Sequence, residues 1–414
     1  EASSEFGESH APDHADRKTM GNSILIQLRK TDGPHRPFIA PEWAYHYTEE
    51  NIPRRECMLR ELRTENFWWM EFGGVKDSIT DADEIRDELL KIAYGCWEFI
   101  KNHPSGHAEE WELDWIGKLP GKRESVRYVG DHILIQPEVE AGGHFPDTVC
   151  YGGWSMDNHH PEAFYYPGPP TIFHPAPSPF GIPYRSLYSK NIANLFFAGR
   201  NISCSHMAMS STRVMATCAT MGQAVGTAAA LAVRHNTDPR GIWENHIEEL
   251  RDTLMEQDQY IPFTTRKVSP LSLAAKVSHE ALRNGHDRSF GETDNGAWIK
   301  LDSDCRYEFG KSESVHSVRI VFDSDFSDTK RMRCVEGIPA DDPLRRVPGT
   351  IARDFRVEVL RSGVWTPVLS IRDNRRRYLR LNFEPTSAEA VRLVPERSWN
   401  PDADSVHIFS FEVE

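Results

Sequence analysis

The chain has 414 residues, 39% of them hydrophobic and 27% charged, and a formal net charge of −14. That acidity excludes partners that need a basic face, nucleic acid and anionic membranes among them. The length exceeds what one ordinary core organises, so two domains are expected.

No apolar run reads as a membrane span, and the least polar stretch, around residues 215–233, is rich in Ala, Thr and Gly. The opening EASSEFGESHAPDHADRKTM shows no signal-peptide pattern and reads as the interior of a longer protein. Seven cysteines at irregular spacing, with no CxxC, give neither a zinc pattern nor a disulfide framework, so free buried thiols are expected.

In chain order, residues 1–22 read as an exposed polar lead-in whose His10, Asp13, His14 and Asp16 form a solvated loop rather than a metal site. Ser23 to Leu28 and the aromatic run Phe67 to Phe72 are predicted strands, each closed by a glycine-bearing turn. Asp81 starts a helix with an acidic first turn, and Ile85, Leu89, Ile92, Cys96 and Phe99 recur at helical spacing as far as Asn102. Trp111 to Ile116 is a further aromatic segment, and Asp131 to Ile135 a further strand. Between them, Arg123 and Arg127 flank Glu124 and read as a solvated, ion-paired surface.

The loop Tyr151 to Pro161 carries polar tips, with His159 and His160 as candidates for proton transfer or substrate hydrogen bonding. No third ligand stands at helical spacing from them, so no metal is assigned. Residues 165–186 are crowded with Pro and Tyr and predict a rigid extended loop that delivers Tyr184 and Arg185.

The stretch 194–236 organises the rest. Leu195 to Ala198 predicts a buried strand ended by Gly199, Arg200 and Asn201. The segment that follows is built of small residues. Gly222 and Gly226 inside it cost a helix about 1 kcal/mol each relative to Ala, which leaves two readings. One is a helix start aimed at an electron-rich group; the other is close packing along a small-residue ridge. His206 is either an acid/base residue or the cap of the helix that follows. Ile242 to Leu254 is an amphipathic helix.

From Ser278 the texture becomes that of an antiparallel sandwich. Its strands are predicted at Trp298 to Leu301, Val315 to Phe322, Phe355 to Leu360 and Val406 to Val413. Trp365 and Arg375, Arg376 and Arg377 lie in its turns. The expected divisions are 1–265, a linker 266–277, and 278–414.

The run NLFFAGRNIS followed by SSTRVMATCATMGQAVGTAAALA resembles the C-terminal flavin-contacting signature of FAD-dependent oxidoreductases related to succinate dehydrogenase and fumarate reductase flavoproteins. PGKRESVRYVGDHILI, DTVCYGGWSMDNHHP and IPYRSLYSKNIANL extend the resemblance over most of residues 1–265. It implies an α+β fold, with a substrate domain and the C-terminal flavin-contacting strand and helix, followed by an all-β jelly-roll sandwich. It implies FAD as cofactor, held by Gly199, Arg200, Asn201, Ser211, Gly222, Gln223, Ala224 and Gly226. His206, Arg213, Arg127, Arg185 and His159 become the candidate catalytic residues, and Cys204 a candidate attachment point for the flavin. The family's G-x-G-x-x-G does not occur in this sequence. The resemblance implies that the nucleotide-binding half lies outside it, N-terminal to it in a longer protein or on a separate partner chain. NGHDRSFGETDNGAWIKLD, VHSVRIVFDSD, FRVEVLRSGVWTPV and IFSFEVE resemble galactose-binding-like discoidin domains; the resemblance implies Trp365 with Arg375, Arg376 and Arg377 as a candidate sugar-binding rim, against the alternative of a docking domain that binds nothing.

Three functions follow. The first is an oxidoreductase passing a hydride from a small polar, possibly sugar-derived, substrate to FAD. The second is a flavin-less carbohydrate-binding or scaffold module. The third is a flavin-free lyase using His159 or His206 with Arg127.

Overall fold

The computed structural model describes residues 1–33, 36–53, 67–325 and 347–414. They fall into two units, residues 1–254 on one side and residues 255–325 with 347–414 on the other.

The first unit mixes helices with short antiparallel strands. Its centre is the helix Ala82–Asn102, N-capped at Asp81. The periodic Ile85, Leu89, Ile92, Cys96 and Ile100 are buried in a cluster with Trp69, Met70, Trp97 and Phe164, and helical spacing is what lines them up on one face. Gly95 is needed there because a Cβ would meet the Tyr45 carbonyl oxygen at 2.3 Å. Lys101 is buried at the helix end and donates to the carbonyls of Ala108, Glu109 and Trp111, at 3.1, 3.2 and 2.6 Å. It thereby ties the last helical turn to the strand Trp111–Ile116, which pairs with Ile26–Lys30.

Several predicted strands are shorter than their sequence pattern. Ser23 to Leu28 splits into Asn22–Ser23 and Ile26–Lys30, and the Phe67 to Phe72 run contributes only Glu71–Phe72. Asn22–Ser23 lies between Glu71–Phe72 and Gly121–Lys122 in a three-stranded sheet. Leu195 to Ala198 forms no strand: its one pairing among the described residues is a bridge from Phe196 to Tyr188, so no ladder holds it. Asp131 to Ile135 likewise makes a single bridge, Leu134 to Cys204, and gives way to the helix Gln136–Glu140. The Pro-rich segment, in contrast, contains regular structure. Thr171–His174 pairs with Met156–His159, and Phe180–Pro183 with Thr148–Gly152; both are two-stranded ribbons, in which edge positions tolerate proline.

The signature segment forms two helices, His206–Thr212 and Met215–His235. The second is long and apolar enough to cross a membrane, with a mean hydropathy of 1.3 over an 18-residue window of which 33% is buried. The expectation that no run reaches that length is thereby corrected; small residues lower the apparent apolarity of a run whose charges come only at its end. The helix buries Thr217, Met221, Ala224, Ala228 and Leu231. Pro239–Glu256 follows, with non-helical backbone angles at His246.

The second unit is one curled antiparallel sheet, ordered Ala297–Lys300, Ser405–Val413, Cys305–Phe322, Tyr378–Ser398, Ala352–Arg361 and Val364–Ile371, with Lys276–Val277 also on Cys305–Phe322. Register shifts in the two longest strands let the sheet curl around a core of Tyr307, Ile320, Phe322, Phe355, Val391 and Phe411. The expected linker carries structure of its own: the helix Pro270–Ala274, capped by Ser269, precedes the strand at Lys276. Arg266, Asp287, Arg319 and Glu412 form a buried ion cluster, with Asp287 3.2 Å from Arg266 and 2.7 Å from Arg319. Trp365 and the three arginines do not form a rim. Trp365 lies at the start of the strand Val364–Ile371 and the arginines follow its other end, separated by roughly 25 Å of extended chain. Arg392 covers Trp365, Arg375 stacks on Trp399, and Arg377 pairs with Asp258.

Candidate active site

A cavity of about 640 Å³ in the first unit is lined by the N-terminal segment, Glu124 to Arg127, Asn158 to His160 and Ser203 to Met207. One imidazole–carboxylate pair stands on its wall, and a second reaches it through its histidine alone.

The first pair is Glu124 and His206. His206 opens the helix His206–Thr212, and its backbone N–H donates to the Glu1 carboxylate at 2.7 Å. Its ring does not cap the helix; Ser205 does, accepting from the Ala208 N–H at 3.1 Å. His206 Nδ1 lies 2.9 and 3.0 Å from the two Glu124 oxygens, and Nε2 lies 3.1 Å from Asn158 Oδ1. The carboxylate fixes the proton on Nδ1, so Nε2 is the nitrogen that can take up a second proton, and Asn158 Oδ1 accepts the hydrogen bond from it once it is there. Burial alone would push the Glu124 carboxyl up, but the hydrogen bond and charge of His206, with the Arg127 guanidinium, hold it below the usual carboxylate range.

The second pair is Glu71 and His159. His159 is buried, with Nδ1 2.6 Å from Glu71 and Nε2 3.2 Å from Asp157. Asp157 in turn accepts from Arg213 at 3.0 Å. Burial opposes the Asp157 charge, yet His159 and Arg213 keep its carboxyl below the ordinary value, while burial pulls Arg213 itself down. Glu71 Oε1 and Arg213 Nε are buried with no hydrogen-bond partner among the described residues. Both charges are paired through their other atoms, and a buried polar atom left without a partner in such a group costs stability and marks a place where a ligand could bond.

Arg127 and Arg123 are not a solvated surface. Arg127 donates to Cys204 O at 3.0 Å, to Glu1 at 2.8 Å and to Glu124; Arg123 donates to Ser23 and Trp68 O at 2.8 and 3.1 Å. The N-terminal lead-in is likewise not all exposed. Glu8 is buried, accepting from the Gln136 N–H at 2.8 Å and from Ser205. The structure thus brings His206, His159, Arg127 and, through Asp157, Arg213 together. It leaves Arg185 out: its guanidinium is locked on the buried Asp147 at 3.0 and 3.1 Å, and it does not line the cavity. Cys204 reaches the cavity, but burial pushes its thiol up to about 12, which suppresses the thiolate a covalent attachment needs.

Sequence reasoning missed Glu71, Glu124 and Asn158 as members of the site, whereas Asp157 stood out two positions before the paired histidines. Glu71 had a signal, a lone charge inside an aromatic run. Asn158 had none.

Residues 9–254 match the family model described as FAD dependent oxidoreductase, well over half of the chain. The chain belongs to that family. No curated protein matches it. Solved structures similar to part of the chain include the family 32 carbohydrate-binding module from Streptococcus pneumoniae EndoD, at 14% identity over 35% of this chain and 99% of that one, with a TM-score of 0.27. Another is the family 32 module of Clostridium perfringens NanJ in complex with galactose, at 13% identity over 34% and 90%, with a TM-score of 0.23. A chitosan-binding module from a Paenibacillus chitosanase/glucanase is 15% identical over 35% and 97%, with a TM-score of 0.23. Likenesses of this size carry no inference about ligands.

The family implies a flavin, and one helix start in the chain is suited to an electron-rich group. The helix Met215–His235 starts with no side-chain cap and no acidic residue in its first turn, so its first N–H groups favour an electron-rich neighbour. A Cβ at Gly222 or Gly226 would meet nothing within 4 Å. These glycines lie inside the helix, not at its start, and pack against nothing described, so the helix-start and ridge-packing readings are corrected, while their bare backbone stays open to close approach. Gln223 is exposed, while Ala224 is buried and Ser211 donates to Trp154 O at 2.5 Å. Gly199, at φ 103°, turns the chain into Arg200, which donates to Lys122 O, and Asn201, whose carbonyl accepts from Tyr128.

Proposed function

We propose that this chain forms the substrate-binding and flavin-facing part of an oxidoreductase of the succinate dehydrogenase and fumarate reductase flavoprotein type, acting on a small polar, sugar-derived alcohol or acid. The observation that carries the reading is the Glu124–His206–Asn158 array on the cavity wall.

When bound, FAD supplies a hydride acceptor. Gly199 to Asn201, the start of the helix Met215–His235, and Gly222, Gln223 and Gly226 are the groups offered to hold it. His206 Nε2 accepts the substrate hydroxyl proton as the C–H bond gives up its hydride. Glu124 keeps the ring oriented and stabilises the imidazolium that forms. His159, gripped by Glu71 and Asp157, presents a second charged wall, and Arg127 with Arg213 offsets the carboxylates.

The test is anaerobic bleaching of FAD by a panel of sugars and sugar acids in the presence of the full chain. Bleaching is expected with wild type, and His206→Gln should slow it about 10²–10⁴-fold while flavin binding is unchanged. Equal rates in the variant would remove His206 from the mechanism. Product formation without flavin would favour the lyase reading instead.

A further inference from the structure

Away from the cavity, His235, His246 and Glu249 bring three metal-binding side chains together at the junction of two helices. His235 is the last residue of the helix Met215–His235, and His246 and Glu249 stand one turn apart on Pro239–Glu256. Their ligand atoms all lie within 4.8 Å of one another. Glu249 Oε2 is 2.8 Å from His235 Nε2 and 3.7 Å from His246 Nδ1. The two rings stack with centroids 3.8 Å apart, 14° from parallel. His246 is the residue at which the second helix leaves helical geometry, with φ −136° and ψ 16°.

We propose that these three residues form a binding site for a divalent cation of the zinc class. Tetrahedral ligands at about 2.1 Å from a zinc ion stand about 3.4 Å apart, close to the observed spacings, and the stacked rings must turn out of their parallel planes for one ion to lie in the plane of both. All three side chains are partly exposed, which leaves room for those rotations and for a water at a fourth position. The two imidazoles with one carboxylate suit zinc, cobalt or nickel better than calcium or magnesium. Arg234 holds the other Glu249 oxygen at 3.2 Å, presenting Oε2 to the histidines. The carbonyl end of the helix Met215–His235 adds a favourable field for a cation. A bound ion clasps the two helices across the turn 236–238.

The experiment is a titration of the chelator-treated full chain with Co²⁺ alone, read by visible absorption and followed by competition with Zn²⁺. One equivalent should give the intense bands of a four-coordinate ion and be displaced by zinc. His246→Ala, His235→Ala and the shape-preserving Glu249→Gln should each weaken binding at least tenfold, with helix content by circular dichroism unchanged. His316→Ala, at an exposed histidine elsewhere, should not. Absence of saturable binding, or equal affinity in the first three variants, would overturn the site and leave Glu249 as a hydrogen-bond acceptor only.

Discussion

Glu124 is ionised because its partners outweigh its burial. Its carboxyl lies below the ordinary 4.5, so the stabilisation it gives is fully present above that value and is lost as the pH falls through the lower, folded one. Glu124→Gln should lower stability by about 1–3 kcal/mol, since it removes the shared acid of the part-buried Arg127 and His206, while Arg127 keeps Glu1. It should also flatten the acid limb of the stability–pH profile, measured by urea unfolding between pH 3 and pH 7 on the order of one-unit steps. A variant with an unchanged profile would mean that Glu124 is not charged in the fold. At this scale the sequence was partly legible. His206, His159 and Arg127 were recognisable from the segments they occupy. Some of their carboxylate partners are local, Glu124 standing three residues before Arg127, but Glu71 lies 88 residues from His159 and Glu124 82 from His206, and no local pattern reports those meetings.

Among the elements, Ala82–Asn102 was readable end to end because its period, acidic start and Asp81 cap agree. Its close contact at Gly95 was not, since the Tyr45 carbonyl is brought there by a loop. Gly95→Ala should destabilise the chain by about 1–3 kcal/mol through overpacking, read as a shifted urea midpoint, whereas alanine at Gly222 or Gly226 should be neutral or stabilising. A neutral Gly95→Ala would contradict the packing described. Short strands were the weakest readings. Leu195 to Ala198 has strand-like residues but one bridge, because a strand exists only through its neighbours. Tyr378–Ser398 went unread because Pro385, Pro395 and interspersed Arg and Glu interrupt the alternation, although Leu379, Ala388, Val391 and Leu393 are buried in the sheet's core.

At the level of the whole molecule, two units divide the work. The β unit depends on its buried ions. Asp287 is held below its ordinary value, burial opposing its charge and Arg319 with Arg266 more than compensating. Asp287→Asn should therefore cost about 3–5 kcal/mol, with the loss present above the ordinary aspartate value of 3.8 and shrinking as the pH falls through the folded one. Urea unfolding of the whole chain at neutral pH checks the size, and an unchanged midpoint would contradict it. The first unit carries the chemistry, and its assignment to FAD-dependent oxidoreductases is where function is most directly exposed to test. The decisive measurement is a visible spectrum of the full chain mixed with FAD and then desalted. The account expects flavin to be retained with shifted bands, and those bands to bleach with substrate more slowly in His206→Gln. A colourless protein whose addition leaves the spectrum of FAD unchanged would contradict the proposed flavin-facing role.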